Sequence, residues 1–114
     1  MTQVQENPAL AAVVQRLQGQ FMERLDDVLG QVDATLAGIE GGEMPGPYLS
    51  ELADKMHKVA GIAGTLGHGD LGGQAAEIEN LIRRRTDPAE LPETELLTAI
   101  ERFCDQTDVV YAAA

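Results

Sequence analysis

The stretch "LSELADKMHKVAGIAGTL", residues 49–66, carries the clearest helical pattern of the chain. Its apolar residues recur at spacings of three and four, which places them on one face of an α-helix. They are Leu49, Leu52, Met56, Val59, Ala63 and Leu66. The turn signals Gly41-Gly42 and Pro45-Gly46-Pro47 precede the stretch, and Pro47 suits the first turn of a helix. The pattern therefore predicts a helix whose apolar face lies against a core.

Similar patterns on both sides of this stretch predict further helices. Asn7-Pro8 is a helix start with Asn7 as N-cap, and the helix that follows is short or merges into the next one. From Phe21 to Ile39 the apolar residues again define one face, with Thr35 or Leu36 among them. Another helix is predicted from about Asp70 to about Arg85, since a carboxylate suits a helix N-terminus.

The last helix is predicted to begin at a capping box, in which Asp87 is the cap and Glu90 reaches back to it. Its apolar face consists of Leu96 or Leu97, Ile100, Phe103 or Cys104, and Val110. Four amphipathic helices with short connections are typical of an antiparallel bundle. We therefore expect an all-α fold, an antiparallel four-helix bundle with an additional short N-terminal helix, formed by residues 1–114 as one domain.

The charge balance argues against two classes of partner. Eight basic residues stand against 19 acidic ones, a formal net charge of −11, which disfavours binding to nucleic acid or to an anionic membrane. The single cysteine, Cys104, cannot form an internal disulfide, and no export segment is apparent. We expect a cytoplasmic monomer that binds neither nucleic acid nor membrane.

A polar stripe runs beside the apolar face of residues 49–66. His57 directly follows the seam residue Met56, so it is turned by about 100° from the core and is expected to reach solvent. Gly61 and Gly64 lie four and seven positions after it, and each interior glycine costs a helix roughly 0.5 to 1 kcal/mol relative to alanine. Two explanations remain open: clearance for a partner that approaches His57, or close packing against a neighbouring helix. A neutral imidazole nitrogen is a competent nucleophile toward phosphoryl groups if a partner holds the other ring nitrogen.

The stretch "HKVAGIAGTLGHGDLGGQAAEIENLI", residues 57–82, resembles the core of histidine phosphotransfer (HPt) domains. The family pattern is a histidine followed by glycine four positions later, a small residue seven later, glycine ten later, and then a leucine. The matching residues are His57, Gly61, Gly64, Gly67 and Leu71. Several fixed offsets together are far more specific than one glycine pair.

The resemblance implies a phosphoryl carrier without catalytic machinery of its own. His57 would accept a phosphoryl group from a sensor histidine kinase or from the aspartate of a response-regulator receiver domain, and pass it to another receiver. The receiver would supply Mg²⁺, and the chain itself would need no cofactor. Glu79, 22 positions after His57, matches the Gln or Glu that orients the histidine in the family. The alternative is a solvated glutamate paired with Arg83 at i+4.

The chain departs from the family at one position. A lysine often stands three positions after the histidine, where this chain has Ala60, so Lys58 or Lys55 is expected to neutralise the phosphoryl group instead. The residues expected to contact the partner are Asp54, Gly61, Gly64 and His68. No metal site is expected, because the two histidines and Cys104 lack zinc-site spacing. The alternative function is a non-phosphorylated helical adaptor that binds and inhibits a receiver or kinase domain.

Overall fold

Residues 7–113 are described by a computed structural model in which helices alone form the regular structure. The four helices are α1 (Pro8–Glu40), α2 (Pro45–Ala63), α3 (Gly69–Arg83) and α4 (Thr94–Ala113). A 3₁₀ turn, Gly64–Leu66, continues α2 to the corner before α3. The all-helical prediction is confirmed for these residues. The predicted domain also contains residues 1–6 and 114, which lie outside the described residues.

Contacts between α1 and α2 show that these two helices run antiparallel, and further contacts tie α3 to α4 and α4 to α1. Between α1 and α2, Lys55 pairs with Asp27 at 2.8 Å, and the Gln31 amide donates to the carbonyl of Tyr48 at 3.2 Å. Later residues of α2 therefore lie beside earlier residues of α1. Between α3 and α4, Arg84 approaches Glu95 at 3.9 Å across the connecting loop. The Tyr111 hydroxyl donates to Asp26, which ties the end of α4 to α1.

The apolar seam predicted for α2 forms the centre of the core. Its first five members, from Leu49 to Ala63, are at most 1% exposed, and Leu66 packs half-buried at the end. Of the two residues predicted for the apolar face of α1, Thr35 is buried and Leu36 is exposed. The Thr35 hydroxyl can be buried because it donates a hydrogen bond to the carbonyl of Gln31 at 2.7 Å. None of the described helices is both long and apolar enough to cross a bilayer.

Burial on α4 also decides between Leu96 and Leu97 and between Phe103 and Cys104. Leu96 and Phe103 are fully buried, whereas Leu97 is 42% exposed. Cys104 is only half-buried, at the edge of the core, and burial together with nearby aspartates raises the pKa of its thiol. The thiol is therefore held in its neutral, less reactive form.

The additional short N-terminal helix is absent from the described residues, because α1 continues without a break from Pro8 to Glu40. The Asn7 side chain caps it as predicted and accepts from the backbone of Ala9 and Leu10 at 3.0 and 3.2 Å. The only residue that weakens the helix between the two predicted segments is Gly19, and a single exposed glycine costs a helix about 1 kcal/mol, too little to end it. The merged alternative is the correct one.

The predicted start of the last helix is wrong. Asp87 does accept from the backbone of Ala89 at 2.9 Å, but this closes a local turn, and α4 begins at Thr94. Pro92 explains the delay, since proline disfavours helical geometry in the residue before it and supplies no N–H itself. A capping aspartate and an Asx turn have the same local sequence signature.

Gly46 connects the start of α2 to the loop between α3 and α4. Its N–H donates to the carbonyl of Pro88 at 2.8 Å, and a Cβ at Gly46 would lie 2.5 Å from the Cβ of Pro88 and 2.8 Å from its Cα. Gly46→Ala is therefore expected to lower the free energy of unfolding by about 1–3 kcal/mol, measured by urea denaturation. Gly73→Ala is the control, because nothing lies within 4 Å of a Cβ at that exposed position of α3. Equal stability of the two variants would contradict the close approach.

Candidate functional site

His57 of α2 and Glu79 of α3 meet across the groove between these two helices. Each directly follows a fully buried core residue, Met56 and Ile78, so each is carried to the edge of the helix interface. The distance from His57 Nδ1 to Glu79 Oε1 is 3.1 Å. The His57 side chain is 72% exposed, whereas that of Glu79 is only 15% exposed. An accessible imidazole is thus held by a largely covered carboxylate.

The contact determines which ring nitrogen is available for chemistry. When the imidazole is neutral and Nδ1 carries the proton, Nδ1–H donates to Glu79 and the lone pair of Nε2 is free. Burial opposes the charged form of Glu79 and is the largest single influence. Hydrogen bonds from Arg83 and then from His57, with their charges, outweigh it and hold the pKa of the Glu79 carboxyl below its ordinary value. Glu79 is therefore an anion at neutral pH and can also stabilise positive charge on the ring.

Arg83 and Asp54 extend the pair into a chain of four side chains. The second carboxylate oxygen of Glu79 accepts from Arg83 Nε at 2.8 Å, and Arg83 Nη2 donates to Asp54 Oδ1 at 3.0 Å. Asp54 lies on α2 three positions before His57. The two interpretations of Glu79 are therefore compatible, since one carboxylate contacts both His57 and its i+4 partner Arg83.

Gly61 and Gly64 face open space. An added Cβ would meet no atom within 4 Å at either position, so the packing explanation of these two glycines is wrong. Between α2 and α3 a close contact is made instead by Gly72 of α3, where a Cβ would lie 3.1 Å from the Cβ of Ala63. Gly72 thus allows α3 to lie close to α2, the helix that carries His57. The bare surface at Gly61 and Gly64 lies on the exposed side of α2 that also carries His57.

The two candidate lysines differ in their surroundings. Lys55 is paired with Asp27 of α1 at 2.8 Å, so its ammonium is already partnered. Lys58 is exposed and forms no ion pair with any residue of 7–113. Ala60, where the family often has lysine, is half-buried against the core. Of the two lysines, only Lys58 has no ion pair within the described residues.

His68 is oriented toward the core rather than toward His57. It lies at the corner between α2 and α3, where its ring stacks on Phe21 of α1 with 4.8 Å between centroids and an interplanar angle of 11°. It also lines a groove with Met22 and Val110. The structure thus does not bring His68 into the group formed around His57. Within residues 7–113 no three histidine, cysteine or carboxylate side chains group as metal ligands.

The link from Arg83 to Asp54 was not predicted from the sequence. The sequence alone indicates Arg83 only as an i+4 partner of Glu79, and Asp54 only as a residue that contacts the partner. The available signal was that Asp54 precedes His57 by three residues while Arg83 follows Glu79 by four. In two antiparallel helices, a step backward along one and a step forward along the other lead in the same direction. A contact between His57 and Glu79 therefore also brings Asp54 close to Arg83.

The low pKa of Glu79 leads to a prediction about stability and pH. The folded-state pKa lies below the ordinary 4.5, so the stabilisation from ionised Glu79 is complete above the unfolded-state pKa and is lost as pH falls through the folded-state value. Glu79→Gln cannot show this change. The stability difference between the native chain and the variant is therefore expected to be larger at about pH 7 than at about pH 3, as measured by urea denaturation at both values. A difference that stays constant with pH would contradict the low pKa.

Comparison with protein families finds one match that spans the site. A family model described as Hpt domain matches residues 8–108, which include α1 to α3 and most of α4. His57 and Glu79 both lie inside the matched region. No curated protein and no solved structure matches the chain.

Proposed function

Because this chain belongs to the Hpt domain family, whose members are phosphocarrier modules of two-component signalling and not catalysts, we propose that it relays a phosphoryl group through His57. The contact that carries this proposal is the one between His57 Nδ1 and Glu79 Oε1 at 3.1 Å. It supplies what a phosphoacceptor histidine needs, an exposed ring with one nitrogen held and the other free. A surface histidine without a function would not require a largely buried carboxylate beside its Nδ1.

The proposed transfer begins with neutral His57 protonated at Nδ1. The Nε2 lone pair attacks phosphorus of the aspartyl phosphate on a receiver domain, an N–P bond forms, and the P–O bond to the aspartate carboxylate breaks. The aspartate leaves with the electron pair of that bond. Positive charge then spreads over the ring, and Glu79 stabilises it through the Nδ1–H bond. No proton has to leave, so transfer to a second receiver is the same step in reverse.

The partner supplies the remaining charge neutralisation. Phosphoryl transfer depends mainly on positioning and electrostatics, and the receiver would bring Mg²⁺ together with its acidic pocket. On this chain, Lys58 would lean toward the phosphoryl group, while Gly61 and Gly64 leave room for the receiver. We place Asp54 at the rim of this contact and His68 at its far edge. The chain would act in the cytoplasm as a monomer whose contacts with its partners are small and transient.

The proposal is tested by direct phosphorylation of the full chain. It is incubated with radiolabelled phospho-receivers and with autophosphorylated sensor kinases, and the label it gains is tested for stability in acid and alkali. Phosphohistidine is lost in acid and survives in alkali, whereas aspartyl phosphate is lost in alkali. Acid-labile, alkali-stable label supports the relay. Stable binding to a receiver or kinase without any label would instead support the inhibitory adaptor.

Glu79→Ala is expected to slow phosphorylation by about tenfold and leave the acceptor in place, because it removes one hydrogen bond to a charged group. Glu79→Gln retains a carbonyl acceptor for Nδ1–H and is expected to lose less. Glu77→Ala is the control, since Glu77 lies exposed on the same helix and contacts neither His57 nor Arg83. The measurement is the initial rate of label transfer at matched concentrations. A Glu79→Ala rate equal to that of Glu77→Ala would remove Glu79 from the site.

A further inference from the structure

We propose that Arg83 is a positioning residue of this site: it holds the Glu79 carboxylate in the orientation that keeps Nε2 of His57 as the free ring nitrogen. The effect on transfer rate rests on the proposed function. The effect on the ring itself concerns the unphosphorylated chain and does not depend on it. Within residues 7–113 Arg83 forms hydrogen bonds to Glu79 and Asp54 and none to the imidazole, so it would act on His57 through Glu79.

The two oxygens of the Glu79 carboxylate have different partners. Oε1 faces His57 Nδ1 at 3.1 Å and Oε2 accepts from Arg83 Nε at 2.8 Å. These are the only hydrogen bonds of this side chain within residues 7–113. If Oε2 loses its donor, the carboxylate is free to rotate about its last bond and to swing toward water. The arginine therefore limits the orientation of the oxygen that faces the histidine.

Arg83 is itself held by Asp54 of α2. Its Nη2 donates to Asp54 Oδ1 at 3.0 Å, so one planar guanidinium bridges a carboxylate of α3 and a carboxylate of α2. Both bonds come from one rigid plane, which gives the fork a fixed geometry that a lysine ammonium lacks. Asp54 lies less than one helical turn before His57. The bridge therefore fixes Glu79 relative to the helix that carries the histidine.

The acceptor at Nδ1 controls the tautomer of the His57 ring. A neutral histidine in water favours the tautomer with the proton on Nε2, which has no lone pair there for attack. An oriented acceptor at Nδ1 reverses that preference. Loss of Arg83 is thus expected to shift His57 toward the unreactive tautomer even though Glu79 and His57 are both present. An i,i+4 pair that only supports α3 would leave the tautomer unchanged.

The test measures the tautomer and the transfer rate on the same variants. Long-range ¹H–¹⁵N spectra of the ¹⁵N-labelled full chain are recorded at about pH 8, where histidine side chains are ordinarily neutral. The variants are Arg83→Gln, Arg83→Lys and Arg84→Gln. Arg84 is the matched control, because it is the next residue, is 68% exposed, and approaches Glu95 of α4 instead of Glu79. Circular dichroism and thermal unfolding check that each variant is folded.

We expect the native chain and Arg84→Gln to show mainly the Nδ1–H tautomer of His57. Arg83→Gln is expected to shift toward Nε2–H and to slow transfer by about 3- to 10-fold, with partial recovery in Arg83→Lys. An unchanged tautomer in folded Arg83→Gln would overturn the proposal, as would an equal shift in Arg84→Gln. If the native chain never gains label but its tautomer depends on Arg83, the relay fails and the positioning role stands.

Discussion

A His57→Gln variant is expected to gain no phosphoryl label from any receiver or kinase that labels the native chain. Glutamine retains polarity and approximate size but has no nucleophilic ring nitrogen, so the N–P bond cannot form. Because His57 is 72% exposed and not part of the core, the variant is expected to stay folded. The loss is therefore expected to be complete in transfer and small in the free energy of unfolding.

His68→Gln is the control for this experiment, since it removes the other of the two histidines in the chain. Its ring stacks on Phe21, so some stability is expected to be lost, but the final amount of acid-labile label on the folded variant is expected to match that of the native chain. The comparison uses end-point stoichiometry, which is insensitive to a weakened partner contact. Label that persists in His57→Gln and disappears in His68→Gln would show that His68, not His57, is the acceptor.

Gly64→Leu is expected to reduce transfer by about 10- to 100-fold while the fold remains intact, because the added side chain would project into the space that a docked receiver needs. Nothing lies within 4 Å of a Cβ at this position, and the backbone there has φ −62° and ψ −37°, which any residue adopts. Stability is thus not expected to fall. Gly61→Leu, one turn from His57, is expected to behave in the same way.

Gly30→Leu provides the matched control for the glycine variants. Gly30 is also an exposed glycine within a helix, and a Cβ there likewise meets nothing within 4 Å, but it lies on α1 rather than on the helix that carries His57. Transfer and unfolding are measured for all three variants. If Gly64→Leu loses stability along with transfer, or if Gly30→Leu loses as much transfer, the clearance explanation is wrong.

The helices could be predicted where a single periodic signal dominates. The spacing from Leu49 to Ala63 leaves only one face to bury, and the structure buries it. The start of α4 could not be predicted in the same way, because Asp87 forms a turn with the same residues that would cap a helix. Local sequence rules cannot decide between a helix cap and a turn at Asp87, because the residue that delays the helix, Pro92, lies five positions further along the chain.

The central residues of the site could be predicted more fully than the contacts that link them to their neighbours. Its two central residues each follow a buried position, which periodicity alone indicates, and the family resemblance implied that they pair. The bridge through Arg83 to Asp54 depends on the register of α3 against α2, where Gly72 packs closely on Ala63. That register is a property of tertiary packing, and the offsets of Asp54 and Arg83 indicate the bridge only once the pairing of His57 with Glu79 is known.

The central claim is that the phosphoryl group goes to Nε2 of His57 because Glu79 holds Nδ1. The most direct measurement is the ¹⁵N–³¹P coupling in the ¹⁵N-labelled chain after phosphorylation by a receiver or kinase, with the ring nitrogens assigned through their protons. We expect a one-bond coupling to Nε2 of His57, with the proton retained on Nδ1. A coupling to Nδ1, or phosphorus bound to a residue other than His57, would contradict it.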